Sequence, residues 1–254
     1  MSETVGVLSQ ANADLALAQR RVDALFTRDR QGDLLTLNEL EPVPPPTPAP
    51  RIYLGLTAGG SVRAYRPDVP AALRAAIERL CEDVAPLARE AWLPALRAVL
   101  AAYEPDGEWG ISTGPAFVFP GVMGLSAEVI AIEPGQESLL SEHFPFTATW
   151  LRERWPCYAV VIDGRAVSIC YSARRTAVVA EAGVDTAEAF RGRGYAALVT
   201  AAWANAIRAA GITPVYSTSD ENLASRAVAR KLALRVFAKG RRTRRASMSM
   251  DMAR

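Results

Sequence analysis

The sequence predicts a mixed α/β fold, and three observations lead to this prediction. Short apolar runs typical of strands alternate with segments that carry apolar residues at helical spacing, most clearly in the second half of the chain. An Asp163-Gly164 pair between two apolar runs indicates a hairpin turn, and a glycine-rich loop precedes one of the helices. The chain has 254 residues, half of them apolar, which is enough to bury one large core or two modest ones.

The N-terminal part of the chain is predicted to form two regions. In residues 1–50, apolar positions at helical spacing predict an amphipathic helix over 9–26. Six prolines within 42–50 then exclude a helix or a central strand, so that stretch is predicted to be an extended connector. Residues 51–115 are predicted to be an α+β region, with a hairpin over 52–65 and helical segments between 70 and 103.

Residues 116–254 are predicted to alternate strands with helices as a third unit. The last predicted strand has a period of two and would leave an exposed edge, which makes a homodimer an expectation. The predicted strands are 128–132, 158–162, 166–170, 176–184, 213–218 and 247–252, and the predicted helices are 195–210 and 222–232.

Composition argues against several classes of function. A formal charge of +2 and the lack of interleaved aromatic residues argue against a nucleic-acid partner. Cys81, Cys157, Cys170 and His143 are too widely spaced to predict a metal site or a disulfide framework. An apolar run of about 20 residues and a signal-peptide pattern are both missing, so we expect no membrane contact and a cytoplasmic location.

A glycine-rich loop between a strand and a helix is the most informative segment. Glycines let the backbone turn tightly and let a ligand approach without a Cβ clash. The first N–H groups of a helix have no partner within it and carry partial positive charge, so such a loop is suited to an anion. A tight turn with solvated arginines is the alternative. The residues concerned are Arg191, Gly192, Arg193, Gly194, Tyr195 and Ala196.

Two common phosphate loops fit this segment poorly. A Walker A loop requires a Gly-Lys-Ser/Thr sequence, which does not follow here. Gly192, Gly194 and Ala197 formally satisfy the dinucleotide pattern G-x-G-x-x-A. That pattern needs an acidic residue about 20 positions later, whereas the first acid after Gly211 is Asp220, and too little chain remains for a doubly wound sheet.

A third interpretation rests on a family resemblance. Residues 191–196 resemble the R-x-x-G-x-A pyrophosphate motif of the GCN5-related N-acetyltransferase (GNAT) superfamily. Asn222, Ser225 and the Lys-Leu-Ala-Leu sequence at 231–234 resemble the downstream N-x-x-S/A and K-L-G-F segment of that family, in the same order. The resemblance covers about residues 116–254, and the preceding residues carry no motif of the family.

The resemblance implies a fold, a reaction and a binding site. It implies a GNAT-like acyl-CoA N-acyltransferase fold with an additional N-terminal helical and hairpin region that packs beside it and shapes the acceptor site. It also implies acetyl transfer from acetyl-CoA, as co-substrate and without a metal, to a primary amine of a small-molecule or peptide acceptor. Strands 176–184 and 213–218 would splay apart around the pantetheine arm. Val184 would lie near the acyl group, the loop amides near the pyrophosphate, and Asn222 and Ser225 beside the pantetheine.

Glu181 is the candidate general base. It is the only carboxylate in strand 176–184, and apolar surroundings should raise its pKa toward the range that suits a base. Its odd separation from Val184 places the two on opposite faces unless this strand contains a bulge, as it does in the family. Glu181 as an ordinary salt-bridging strand residue is the alternative.

The sequence also departs from the family pattern. Ala229 stands where many members have a tyrosine that protonates the leaving thiolate, and Tyr195 and Tyr216 are the candidates to replace it. A catalytically silent acyl-CoA-binding or regulatory module is therefore the alternative function. Four arginines within 241–245 are expected to form a solvated turn, with contact to the cofactor phosphate or an acidic partner as the alternative.

Overall fold

Nine strands form one mixed sheet in the computed structural model, which describes residues 2–41, 44–82, 92–105 and 109–245. The strands are β1 (Phe26–Arg28), β2 (Leu34–Leu37), β3 (Ile52–Thr57), β4 (Gly60–Tyr65), β5 (Trp109–Val118), β6 (Val129–Ile132), β7 (Cys157–Ile162), β8 (Arg165–Arg175), β9 (Val179–Thr186), β10 (Thr213–Ser217) and β11 (Arg235–Arg245). The helices are α1 (Ser2–Leu25), α2 (Ala71–Glu82), α3 (Trp92–Tyr103), α4 (Pro145–Thr149), α5 (Tyr195–Ala209) and α6 (Leu223–Lys231).

The large sheet has the order β4-β3-β11-β5-β10-β9-β8-β7-β6, while β1 and β2 form a separate small ribbon. Each pair of neighbours is antiparallel except β10 and β9, which run parallel because α5 provides the crossover between them. The only parallel pair in the described sheet therefore lies at its centre, directly after the glycine-rich loop and its helix.

Helices cover both faces of the sheet. Helix α1 packs on one face, where Val22 and Leu25 join a core that contains Val215. Helix α5 packs on the opposite face, where Trp203 is fully buried with Ala180. Helices α2 and α3 cover the β3 end of that second face. None of the helices in the described ranges has the length and apolar character needed to cross a bilayer.

The mixed α/β prediction is confirmed, and most predicted elements are present. The predicted helix 9–26 is part of α1, the hairpin over 52–65 is β3 and β4, and the Asp163-Gly164 turn joins β7 to β8. Helices α5 and α6 lie within the predicted 195–210 and 222–232.

Two central strands were not predicted. β5 contains Gly110, Gly114 and Pro115, and β11 contains five arginines, so neither has the apolar alternation of a strand. The prediction that 241–245 forms a solvated turn is wrong, because β11 pairs with both β3 and β5 along that stretch. The predicted strand 247–252, and with it the homodimer edge, lies outside the described residues.

The N-terminal and C-terminal parts share the sheet. The boundary expected between residues 115 and 116 lies within β5, which pairs with β10 on one side and β11 on the other. Since β11 also pairs with β3, the N-terminal hairpin extends the same sheet. Residues from the first half of the chain can therefore reach the central strands directly.

Candidate active site

The parallel strands β9 and β10 pair only over their first residues. Their last pair joins Glu181 to Val215. Beyond it, β9 continues to Thr186 along β8, and β10 continues to Ser217 along β5. The two strands therefore part in the middle of the sheet, in agreement with the gap expected from the family resemblance.

A cavity of about 630 Å³ lies beside this gap, on the α5 face of the sheet. The end of β9, the glycine-rich loop, the start of α5 and one side of α6 form its walls. It is lined by eight of the nine residues predicted to bind the cofactor: Val184, Arg191, Gly192, Gly194, Tyr195, Ala196, Asn222 and Ser225.

The glycine-rich loop leaves the N-terminus of α5 open toward this cavity. Gly192 and Gly194 have φ of +79° and +87°, a conformation that other residues rarely adopt. Gly194 is the N-cap of the 15-residue helix α5 and provides no side-chain hydrogen bond to it. The N–H groups of Tyr195 and Ala196 belong to the first turn, where a helix has no internal acceptor for them. This cradle is suited to an anionic group.

Two cationic side chains line the cavity at the loop. Arg191 is held there by a hydrogen bond of 3.3 Å from its Nε to the Thr186 carbonyl. Lys231, the last residue of α6, reaches across so closely that a Cβ on Gly194 would meet its Nζ. The resemblance of residues 231–234 gave Lys231 no role in binding, whereas the structure places its ammonium group beside the loop.

Arg193 is the predicted cofactor ligand that the structure does not bring to the cavity. Its guanidinium lies over the Phe190 ring, 5.0 Å from the centroid, and donates to the Ala189 carbonyl at 3.3 Å. Its contacts are therefore with the turn that precedes the loop.

The residue that caps helix α6 lies in the cavity wall. Asn222 is the N-cap of α6, and its Oδ1 accepts a hydrogen bond of 2.9 Å from the Ser225 backbone N–H. Asn222 therefore caps α6 and lines the cavity as well.

Tyr216 reaches the cavity from β10, one residue beyond the last β9 pair. Its hydroxyl donates to the Ser225 carbonyl at 3.4 Å, and burial raises the pKa of Tyr216. Ala229 is buried in the core beneath this site. Tyr216 therefore brings a partly buried hydroxyl to the cavity wall, in the same core cluster as Ala229, which stands at the position of the family tyrosine.

Glu181 lies on the opposite face of the sheet. Ala180 packs with Val184 against the α5 side, whereas Glu181 faces α1. The expected bulge is on the neighbouring strand, because β8 carries Ala173 as an extra residue opposite β9. Glu181 and Val184 therefore keep the alternation of a regular strand.

A buried ion pair holds Glu181 in its charged form. Arg21 of α1 donates to both carboxylate oxygens, with its Nε and Nη2 each 3.1 Å away, and Ser217 Oγ donates to the same carboxylate. Burial raises the pKa of Glu181, but the attraction of Arg21 and then of Arg242 outweighs that effect and lowers the pKa to about 2. The expectation of a raised pKa is wrong, because the charged partner lies 160 residues away in the sequence.

This ion pair predicts a loss of stability in acid. Because the pKa of Glu181 falls from the ordinary 4.5 to about 2 on folding, the unfolded chain binds the proton more readily. The contribution of Glu181 to the free energy of unfolding is therefore complete above pH 4.5 and is lost as the pH falls toward about 2. Urea unfolding between pH 7 and pH 3 measures it, and Glu181→Gln should flatten this part of the profile. An unchanged profile in that variant would contradict the assignment.

The divided strands, the uncapped helix and the cationic loop together form a site that is suited to an anionic group. A family model described as GNAT acetyltransferase matches residues 135–237, which include β7 to β10, the glycine-rich loop, α5 and α6. The C-terminal half of the chain therefore contains a GNAT superfamily domain, and this family supports acyl transfer as its general function.

Solved structures of the same family also resemble the chain. An acetyltransferase from the GNAT family of Novosphingobium aromaticivorans has 22% identity over 53% of this chain and 64% of its own, with a TM-score of 0.43. A GCN5-related N-acetyltransferase of Kribbella flavida has 19% identity over 60% and 64%, with a TM-score of 0.43. A GCN5-related N-acetyltransferase-like protein of Streptococcus suis has 18% identity over 91% and 100%, with a TM-score of 0.47.

This chain thus spans 64% of the length of the Novosphingobium and Kribbella proteins. A search of the curated proteins gave no match.

Proposed function

We propose that the protein is an acyl-CoA-dependent N-acyltransferase, which transfers an acetyl group from acetyl-CoA to a primary amine of a small-molecule or peptide acceptor. The observation that carries this proposal is the cavity at the parted strands, where an uncapped helix N-terminus lies beside two cations. Its volume of about 630 Å³ is in the usual range for a site that encloses a cofactor-sized molecule.

The residues present fit coenzyme A. The amides of the glycine-rich loop, with Arg191 and Lys231, would hold the diphosphate through charge-assisted hydrogen bonds. Val184, Asn222 and Ser225 would contact the part of the molecule that lies nearer the gap. When bound, acetyl-CoA supplies a thioester whose acyl carbon accepts the amine. Within the described residues no group of three or more His, Cys, Asp or Glu side chains is arranged to hold a metal ion.

One residue of the cavity can donate the proton that the leaving thiolate needs. The Tyr216 hydroxyl lines the cavity and is fixed by its bond to the Ser225 carbonyl, so it is in position to protonate a leaving thiolate. Glu181, with a pKa of about 2, is a weak acceptor for an ammonium proton. Its predicted role as general base stays a prediction, which the Glu181→Gln variant tests.

Tyr216→Phe is expected to lower kcat by about 100-fold, which is within the range of one general acid. The rise in Tm with acetyl-CoA should stay unchanged, because the ring and its packing remain. Tyr195→Phe, whose hydroxyl belongs to the same cavity, is the matched control and should keep most of the activity. Equal activities of wild type and Tyr216→Phe would contradict the assignment of Tyr216.

Two assays test the proposed function itself. Acetyl-CoA should raise the Tm of the purified protein, and release of the coenzyme A thiol should depend on an added amine. Binding of acetyl-CoA without thiol release across a broad panel of amines would overturn the enzyme proposal in favour of a silent binding module. Without a Tm shift, the assignment of the cavity itself fails.

A further inference from the structure

We propose that the acceptor amine also carries an anionic group, most simply a carboxylate, which Arg174 and Arg242 bind on the α1 face of the sheet. This inference rests on the proposed function and names the class of its acceptor. A cavity of about 220 Å³ lies there, bordered by both arginines, Glu181 and Ser217.

This second cavity reaches the strand gap from the side opposite the glycine-rich loop. Ser217 borders it, while the preceding residue, Tyr216, borders the first cavity. Adjacent residues of a strand point to opposite faces, so the two cavities lie on opposite faces of the sheet at the point where β10 leaves β9. A molecule bound beside Ser217 would therefore approach an acyl group in the gap without crossing the coenzyme site.

The charge of the second cavity is unbalanced. Arg21 and Glu181 form a neutral pair within it. Arg174 and Arg242 form no ion pair in the part of the chain that the structure describes, and the buried Nε of Arg174 has no hydrogen-bond partner there. Among the described residues of this lining, Glu181 is the one carboxylate and it also attracts Arg242, so three guanidinium groups face one carboxylate and the cavity keeps a surplus of two positive charges.

Such arginines are unfavourable unless an anion joins them. A partly buried guanidinium loses hydration, and a second cation nearby adds repulsion. Arg242 experiences both effects, since burial and then the neighbouring Arg21 lower its pKa. A carboxylate of the acceptor would pair with the guanidinium forks of Arg174 and Arg242, which suit its planar geometry.

The position and charge of the arginines restrict the acceptor further. Arg174 lies opposite Glu181, the residue at which β9 and β10 part, so the amine and the carboxylate should be separated by few carbon atoms. The same two cations would repel the positive charges of a polyamine, which argues against that class of acceptor. They also lower the pKa of a nearby ammonium, which favours the neutral amine without a dedicated base.

The wider approach continues the basic cavity. A cavity of about 470 Å³ shares Ser112, Thr113 and Arg242 with it, and Asp220 and Glu221 lie at this outer part. The Asp220 carboxylate accepts a hydrogen bond of 2.5 Å from Thr113. Because carboxylates line the outer part and arginines the inner part, an acceptor carboxylate is favoured at the inner end.

The transfer balances with this acceptor. The neutral amine nitrogen forms a bond to the acyl carbon, and the carbon–sulfur bond breaks. The proton lost by nitrogen is matched by the proton gained by the sulfur, so the products are an N-acetylated amino acid or related amide and the free coenzyme A thiol.

Thiol release with matched acceptors tests the inference. The panel compares amino acids with their carboxamides, with aminoalkyl phosphonates of equal length, and with polyamines. We expect kcat/KM to be at least about 30-fold higher for a carboxylate than for its carboxamide. The carboxamide loses the charge-assisted hydrogen bonds between the carboxylate and an arginine. A preference for phosphonates over carboxylates would assign the same anion site to a phosphorylated amine.

Arginine variants identify the binding residues. Arg242→Gln and Arg174→Gln should each raise the KM for the carboxylate acceptor by about 30-fold or more. The KM for the carboxamide should change little, and acetyl-CoA should raise the Tm as it does in the wild type. Arg175→Gln is the matched control, because the next residue of β8 points to the other face and its Nη1 bonds to the Trp155 carbonyl at 2.7 Å. Two arginine variants are used so that a folding defect in one leaves the other informative.

The outcomes separate the two proposals. Acetyl-CoA binding with thiol release that prefers carboxamides or polyamines would overturn the acceptor inference and leave the acyltransferase in place. A lack of thiol release with every amine would overturn the proposed function and the inference with it. Carboxylate preference that survives both arginine variants would show that other residues recognise the anion, and would also overturn the inference.

Discussion

Acetyl-CoA is expected to raise the Tm of the wild type and to leave that of Gly194→Glu unchanged. Gly194 has φ of +87°, and any Cβ there would meet the Lys231 ammonium. A glutamate would also bring a carboxylate into the position that a diphosphate would occupy. Since each charged hydrogen bond contributes about 1.5–3 kcal/mol, losing two or more should weaken binding at least 100-fold. Thermal unfolding with and without acetyl-CoA measures this loss.

Gly211→Glu is the matched control for this variant. Gly211 follows the other end of α5, has φ of +76°, and has open space where its Cβ would be. Both substitutions therefore introduce the left-handed strain of about 1–2 kcal/mol, but only one changes the cavity. Gly211→Glu should have a lower Tm and a full acetyl-CoA shift. A full shift in Gly194→Glu would show that the diphosphate does not bind at this loop.

The grouping of residues around the glycine-rich loop was predictable because its determinants are local. The positive φ of Gly194, the open start of α5 and the cap at Asn222 each depend on residues a few positions apart. Short-range chemistry of this kind is visible in a sequence. Lys231 was the exception, since its position over the loop depends on how α6 packs beside α5.

The acceptor side was not predictable for the opposite reason. Glu181, Arg21 and Arg242 are brought together by α1, β9 and β11, which are distant in the sequence. The apolar strand around Glu181 predicted a raised pKa, but its charged partner was not visible in the sequence, so the sign of the pKa shift was wrong. Arginines in a strand likewise resemble a solvated turn until the strands on both sides are known.

Different parts of the chain line the two cavities. Among the described residues, the cavity beside the glycine-rich loop is lined only by residues after 183, all within the matched family region. The basic cavity adds Arg21 from α1 and Thr113 from β5, which lie outside that region. The N-terminal part thus supplies part of the wall on the side where we propose that the acceptor binds.

Arg21→Met is expected to lower the free energy of unfolding by about 3–5 kcal/mol, the usual effect of leaving one member of a buried ion pair alone. The Arg21 side chain is 2% exposed, and it joins α1 to Glu181 and to the Tyr53 hydroxyl, which accepts at 3.0 Å. Its loss would leave the Glu181 carboxylate without its closest cation. Urea unfolding at pH 7 measures the change, and the exposed neighbour Arg20→Met should stay within about 0.5 kcal/mol of wild type.

A second substitution, Glu181→Gln, separates the effect of the Arg21–Glu181 charge interaction from the effect of lost packing around Arg21. In the Arg21→Met background, Glu181→Gln removes a charge that has already lost its closest partner and keeps an acceptor for Ser217, so it should cost less stability than in the wild type. In the wild-type background the same change should destabilise, because Arg21 then loses its partner. Additive effects would mean that the two side chains do not interact. If Glu181→Gln also lowered kcat by 100-fold or more while folded, Glu181 would be the general base after all.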